Sequence, residues 1–110
     1  MQSVTSNAVA EVTTKITSWE QSGISCFKVG KVIFVQVAKP LSGSSPVTVA
    51  TIPEDFRASY NIRGVLLRND NDQPCGQGVL QPDGKINAWL QNSGNFSGTY
   101  VLTFSFIKDN

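Results

Sequence analysis

The chain has 110 residues, which fits one domain and excludes two. Apolar residues make up 40%, enough for a modest core, while charged residues make up only 15%, against about a quarter in ordinary globular chains. The net charge of +1 comes from nine basic and eight acidic residues spread along the chain, which argues against nucleic acid and membrane insertion, because neither finds a clustered basic patch or an apolar run of about 18 residues.

Ser, Thr, Asn, Gln and Gly replace the missing charges, so the surface is neutral and rich in hydrogen-bonding groups. The start, MQSVTSNAVAEV, lacks a basic region followed by an apolar run and is not a secretory signal. Histidine is absent. That removes the commonest general base and the commonest metal ligand, and no enzyme activity, metal or cofactor is expected. Cys26 and Cys75 are isolated, without metal-binding spacing. They read as two buried free thiols, with a disulfide as the alternative.

The first segment, Ser3 to Trp19, reads as a helix. Val9, Val12, Ile16 and Trp19 are spaced 3, 4 and 3 apart, as on a coiled-coil seam. Ser3, Thr5, Ser6 and Asn7 all offer N-cap side chains. The stripe is too short to be stable alone, so it is either a helix lying on the domain's own core or the remnant of an oligomeric stalk. The second reading is preferred, because the stripe is narrow and precedes an all-β block. The expected organisation is a helical neck over residues 1–22 and a head over 23–110.

After Gly23 the period changes to 2. Ile24 to Val29 and Val32 to Lys39 read as a hairpin around Val29-Gly30-Lys31. In its second strand both rows are apolar, Val32, Phe34 and Ala38 on one and Ile33, Val35 and Val37 on the other. Such a strand is buried on both faces. In so small a domain, one face is expected to be the core and the other a partner subunit. Val32 and Phe34 therefore join Val9, Val12, Ile16 and Trp19 as candidate oligomer contacts.

Val47 to Ile52 is a third strand, stopped by Pro53. Tyr60 to Arg68 and Gly76 to Gln81 are the next two. Pro82-Asp83-Gly84 is a turn leading into KINAWLQ, Lys85 to Gln91. Asn92 to Gly98 is a polar loop. Thr99 to Lys108 closes the domain, with Val101, Thr103 and Ser105 against Leu102, Phe104 and Phe106, and is expected to be central in its sheet. About seven short strands at this spacing predict an all-β antiparallel sandwich or barrel.

Asn69-Asp70-Asn71-Asp72 resembles the start of a calcium loop, but Pro74 and Cys75 follow where further ligands and a glycine belong. A solvated loop is expected. Asp70 and Asp72 also sit too close on one loop to flank a glycosidic bond from two sides.

KINAWLQ alternates cleanly. Ile86, Ala88 and Leu90 form one row. Asn87, Trp89 and Gln91 form the other, so one of the two tryptophans lies on a polar row. A ring between amides is a platform for the apolar face of a sugar, with the amides bonding hydroxyls. A subunit contact or packing under a loop is the alternative, and the one this position favours. The candidate ligand site is Trp89, Asn87 and Gln91, with Asp70, Asp72 and Asn95 from the polar loops.

SVTSNAVAE (Ser3 to Glu11), FKVGKVIFVQV (Phe27 to Val37), ATIPEDFRASYN (Ala50 to Asn61) and QPDGKI (Gln81 to Ile86) together resemble the C-terminal region of tail proteins from bacteriophages and prophages of Gram-positive bacteria. Their order covers nearly the whole chain. Asp55 stands where that family usually has Gly, Ala58 where it has Pro, and Lys31 where it has Asn; all three affect turns. The resemblance implies a homotrimeric receptor-binding head at the tail tip of a virion, made in the bacterial cytoplasm, with a helical neck above the head. It implies adhesion to a host cell-surface saccharide, and that this chain is the end of a longer protein. No catalytic or receptor-site residue carries over by motif.

Overall fold

Residues 16–108 are described by the computed structural model, and they form strands almost throughout. In chain order these are β1 (Ile16–Gln21), β2 (Ile24–Val29), β3 (Val32–Pro40), β4 (Gly43–Ser44), β5 (Val47–Thr51), β6 (Ile62–Arg68), β7 (Pro74–Leu80), β8 (Lys85–Leu90), β9 (Asn95–Phe96) and β10 (Thr99–Ile107). A single 3-10 turn, Glu54–Phe56, connects β5 to β6.

Eight strands make one antiparallel sheet in the order β1-β2-β3-β10-β6-β7-β8-β5, and β4 pairs with β9 as a separate two-stranded ribbon. The expected sandwich or barrel is replaced by a single sheet curled into a half-barrel. Its two end strands, β1 and β5, face each other across a groove lined by Trp19 and Ile24 on one side and Ala50 and Thr51 on the other. Lys39 reaches across from β3 and donates from Nζ to the Val49 carbonyl at 3.4 Å. One face of each strand fills the concave interior, and the other stays on the convex surface.

The alternation explains the burial. On β3, Ile33, Val35 and Val37 face inward, and on β10 Tyr100, Leu102, Phe104 and Phe106 do the same. As expected, β10 is central, between β3 and β6. Ile86 and Ala88 of β8 are fully buried, so the inner row of KINAWLQ is as read from the sequence. Glycines on the inner face let the sheet curl tightly. A Cβ on Gly78 would collide with the Leu102 side chain, so the space above this residue is already filled by β10.

The helix expected to run to Trp19 is corrected over its last turn. Ile16 and Trp19 lie on β1, which pairs with β2 in the register Ile16↔Val29 to Gln21↔Ile24. The cause is the turn that follows. Ser22 and Gly23 both have positive φ, 51° and 83°, as a two-residue hairpin turn requires. That turn folds residues 16–21 back alongside β2, across the boundary expected between neck and head. Trp19 pairs with Cys26 and packs against the core. Val9, Val12 and the rest of the expected helix lie outside the described residues.

Cys26 is buried and Cys75 half-buried, and both are free thiols. Burial pushes the Cys26 thiol up from 9.0 to about 11. A thiol whose folded-state pKa is the higher one favours the folded state fully below pH 9.0, and this contribution is lost as the pH rises through about 11. We therefore expect Cys26→Ala to cost about 1 kcal/mol at pH 8. The gap to wild type should close and then reverse between pH 9 and 11, because the rise of the thiol pKa from 9.0 to about 11 outweighs that cost. Urea unfolding of both proteins across that range checks it; a constant gap would contradict it.

Candidate functional site

The site begins with the register of the middle strands. Val65 of β6 lies opposite Gln77 of β7, and Gln77 lies opposite Trp89 of β8. These three side chains form one row across the convex face. A second row, Arg63, Val79 and Asn87, runs beside it. Trp89 therefore faces away from the core, on the convex surface, as its polar row predicted.

Trp89 is half-buried there, and its surroundings explain both parts of that description. Val79 is only 3% exposed although it belongs to the convex row and not to the core cluster. Trp89 stands diagonally across from it, within reach of a large ring. That placement suits the indole to cover Val79 on one side. On the other it borders a shallow depression of about 410 Å³ lined by Gly76, Gln77, Trp89, Leu90 and Gln91. The depression offers one aromatic wall and two primary amides. It carries no charged side chain, so it is suited to a neutral ligand with an apolar face and hydroxyl groups.

The backbone fixes this geometry. A bulge shifts the β6–β7 register between Leu66 and Leu67, so that Cys75 is the extra residue on β7. The Cys75 carbonyl accepts a hydrogen bond from the Gln91 amide at 2.8 Å, which holds the start of the loop after β8 beside β7. The Cys75 Sγ points to the Leu66 carbonyl at 3.6 Å. Burial raises its pKa, with the Arg68 charge acting in the opposite direction. The Ser45 hydroxyl accepts from the Leu90 amide at 2.9 Å and steadies the outer edge of β8.

Of the residues expected from the sequence, Trp89 and Gln91 meet in the depression. Asn87 lies on the same face, but its Oδ1 accepts a hydrogen bond from the Thr48 hydroxyl at 2.8 Å, tying β8 to β5. Asp70 is on the exposed β6–β7 loop, where its Oδ1 accepts from Arg68 Nε at 3.4 Å. That loop, with Asn69, borders a different depression together with Gly98 and Thr99. Asp72 is exposed at a positive φ of 55° in the same turn. Asn95 pairs with Ser44 in the small ribbon. The loop is solvated as expected, and no group of three or more His, Cys, Asp or Glu side chains is placed to hold a metal among the described residues. Gln77 is the partner that sequence reading missed. Its signal was present, since alternation along β7 puts it on the row opposite Gly76 and Gly78.

A second surface feature lies on the same convex side, toward β1. Phe27, Val29, Val32, Phe34 and Ile107 are 45%, 39%, 37%, 45% and 62% exposed. Phe27 pairs with Phe34, Val29 with Val32, and Val32 with Ile107, so the five form a continuous band across β2, β3 and β10. The row containing Val32 and Phe34 is thus outside the core, as the two-faced strand required. An apolar band of this kind marks a contact surface more often than bare solvent-facing sheet.

No protein-family model matches the chain, and a search of curated proteins returns no match either.

Proposed function

We propose that this domain is the adhesion head of a bacteriophage tail, acting as a homotrimer at the tail tip of the virion and recognising a saccharide on the host cell surface. The observation that carries the reading is the Trp89 depression: an aromatic wall between Gln77 and Gln91, with no charged side chain in its lining. A sugar ring laid on the indole loses little, because its hydroxyls exchange water for amide partners. Single sites of this shallow kind bind weakly, and presentation of three together multiplies the affinity. The band from Phe27 to Ile107 supplies a surface for that assembly. Adhesion needs no catalytic group and no cofactor.

Trp89→Ala tests the reading. Monovalent glycan affinity should fall at least about tenfold, equivalent to about 1.4 kcal/mol, and binding to whole host cells should be abolished. The loss of cover over Val79 should cost about 1 kcal/mol of stability, so the variant stays folded and assembled. Retained cell binding by a folded variant would overturn the role of this residue.

The apolar band favours a second reading, a purely structural trimerisation cap that ends a tail fibre. The cap predicts the same assembly with no glycan binding, and no effect of Trp89→Ala on attachment.

A further inference from the structure

A cleft of about 260 Å³ lies at the opposite end of β10 from the Trp89 depression's loops, lined by Glu54, Arg57, Ser59, Tyr60, Pro82 and Lys108 among others. It is assembled from segments far apart in sequence: the 3-10 turn and its continuation, the turn before β8, and the residue after β10. Its chemistry differs from that of the neutral depression. Two cations, one carboxylate, a hydroxyl and an aromatic ring converge on it.

The cations are held in a particular way. Arg57 donates from Nε to the Ile52 carbonyl at 2.9 Å. Its guanidinium lies over Gly84, where an added Cβ would strike Nε and would come 2.7 Å from the same Ile52 carbonyl. The glycine therefore leaves the space the guanidinium occupies. Lys108 donates from Nζ to the backbone carbonyl of Glu54 at 2.6 Å. Both side chains are anchored on neutral carbonyl oxygens, so neither charge is cancelled by its anchor. The Arg57 terminal nitrogens, which the Ile52 bond does not use, carry the paired N–H groups that match a phosphate or carboxylate. Tyr60 is 55% exposed, and its ring forms an open wall beside them. An exposed aromatic next to two anchored cations is poorly explained by packing, since little of the ring is covered.

We propose that this cleft binds a saccharide unit bearing an anionic group, a phosphate or a carboxylate. Arg57 and Lys108 take the anion, the Tyr60 ring takes the apolar face of the sugar, and the Glu54 carboxylate accepts from its hydroxyls. That division gives the charged and aromatic lining groups each a partner of its own chemistry, including the one acidic side chain, which would repel a bare anion.

The test is titration of the full chain, followed by amide and Arg Nε resonances, with glucose 1-phosphate, glucuronic acid, inorganic phosphate and glucose. The expected result is saturable shifts at Arg57, Ser59, Tyr60 and Lys108 with glucose 1-phosphate or glucuronic acid, at least tenfold tighter than with phosphate or glucose. Raising the salt should weaken it. Lys108→Met and Tyr60→Ala should each reduce the affinity at least fivefold, and they avoid the structural bond of Arg57. Equal affinity for phosphate would remove the sugar from the proposal, and equal affinity for glucose would remove the anion; either overturns it. So would absence of saturable shifts, or unchanged affinity in both folded variants. Trp89→Ala should leave this titration as in wild type, so failure here and failure of the Trp89 site are separable.

Discussion

Phe27→Asp with Phe34→Asp should convert the proposed homotrimer to folded monomers. These rings form a cross-strand pair at the centre of the exposed band, each 45% exposed, so about half of each ring is left for a partner to cover. Covering such side chains on assembly contributes roughly 1–2 kcal/mol each, from about 25 cal/mol per Å². The aspartates remove that term and place charges that the contact would have to desolvate, at several kcal/mol each. The apparent association constant should fall by about a thousandfold or more, equivalent to about 4 kcal/mol. The sheet itself should survive, because the inner row of β2 and β3, Cys26 with Ile33, Val35 and Val37, is untouched. Sedimentation at micromolar concentration reads the outcome. Wild type sedimenting as a stable monomer, or a variant that stays assembled, would contradict the proposed role of the band. A monomeric variant that keeps monovalent glycan affinity while losing cell attachment would also separate avidity from the site itself.

The parts of this architecture that were legible in the sequence are those set by period and by turns. Val29-Gly30-Lys31 between two alternating runs specifies the β2–β3 hairpin, and Pro82-Asp83-Gly84 specifies the entry to β8. The inner and outer rows of β8 and β10 followed from alternation alone, and so did the outward direction of Trp89. The last turn of the expected helix was misread because Ile16 and Trp19 continue the helical spacing of Val9 and Val12, whereas the Ser22-Gly23 turn, a stronger signal, commits them to a strand. Closure of the sheet was not legible. Whether β1 meets β5, or a second sheet covers the first, depends on pairings between residues far apart in the chain, which no local pattern encodes. The same limit hid the second cleft. Arg57, Tyr60 and Lys108 each look like an ordinary surface residue until the 3-10 turn, the entry to β8 and the end of β10 are brought together. Gln77 was legible in the alternation along β7 and was overlooked there; what the sequence did hide was the bulge at Cys75, which begins β7 at Pro74.

That bulge makes Gly76→Ala the most damaging small change available near the Trp89 site. Gly76 is paired with Leu90, next to the register shift, and there the β7 backbone is pressed against β8. An added Cβ would collide with the Trp89 carbonyl oxygen, with the Trp89 carbonyl carbon 2.9 Å away and the Leu90 Cα 3.0 Å away. All three atoms are backbone, so no rotamer change relieves the overlap. This sets Gly76 apart from Gly78, whose added Cβ would meet the Leu102 side chain, and a side chain can shift. Overpacking of the second kind costs about 1–3 kcal/mol. The first kind must also separate β7 from β8 and strain the Gln91-to-Cys75 hydrogen bond, so Gly76→Ala should exceed that range, at roughly 4 kcal/mol. At about 4–8 °C per kcal/mol for a domain of this size, the melting temperature should drop by roughly 15 °C or more, with a smaller drop for Gly78→Ala. The two glycines are also separated by function. Moving the β8 backbone at Trp89 reorients the indole, so Gly76→Ala should weaken glycan binding even well below its melting temperature, while Gly78→Ala should leave binding intact. Thermal unfolding of both variants, with glycan affinity measured at 10 °C, decides it. Equal stability of the two would show that β7 relaxes at the bulge, and that Trp89 is held by something other than the close approach at Gly76.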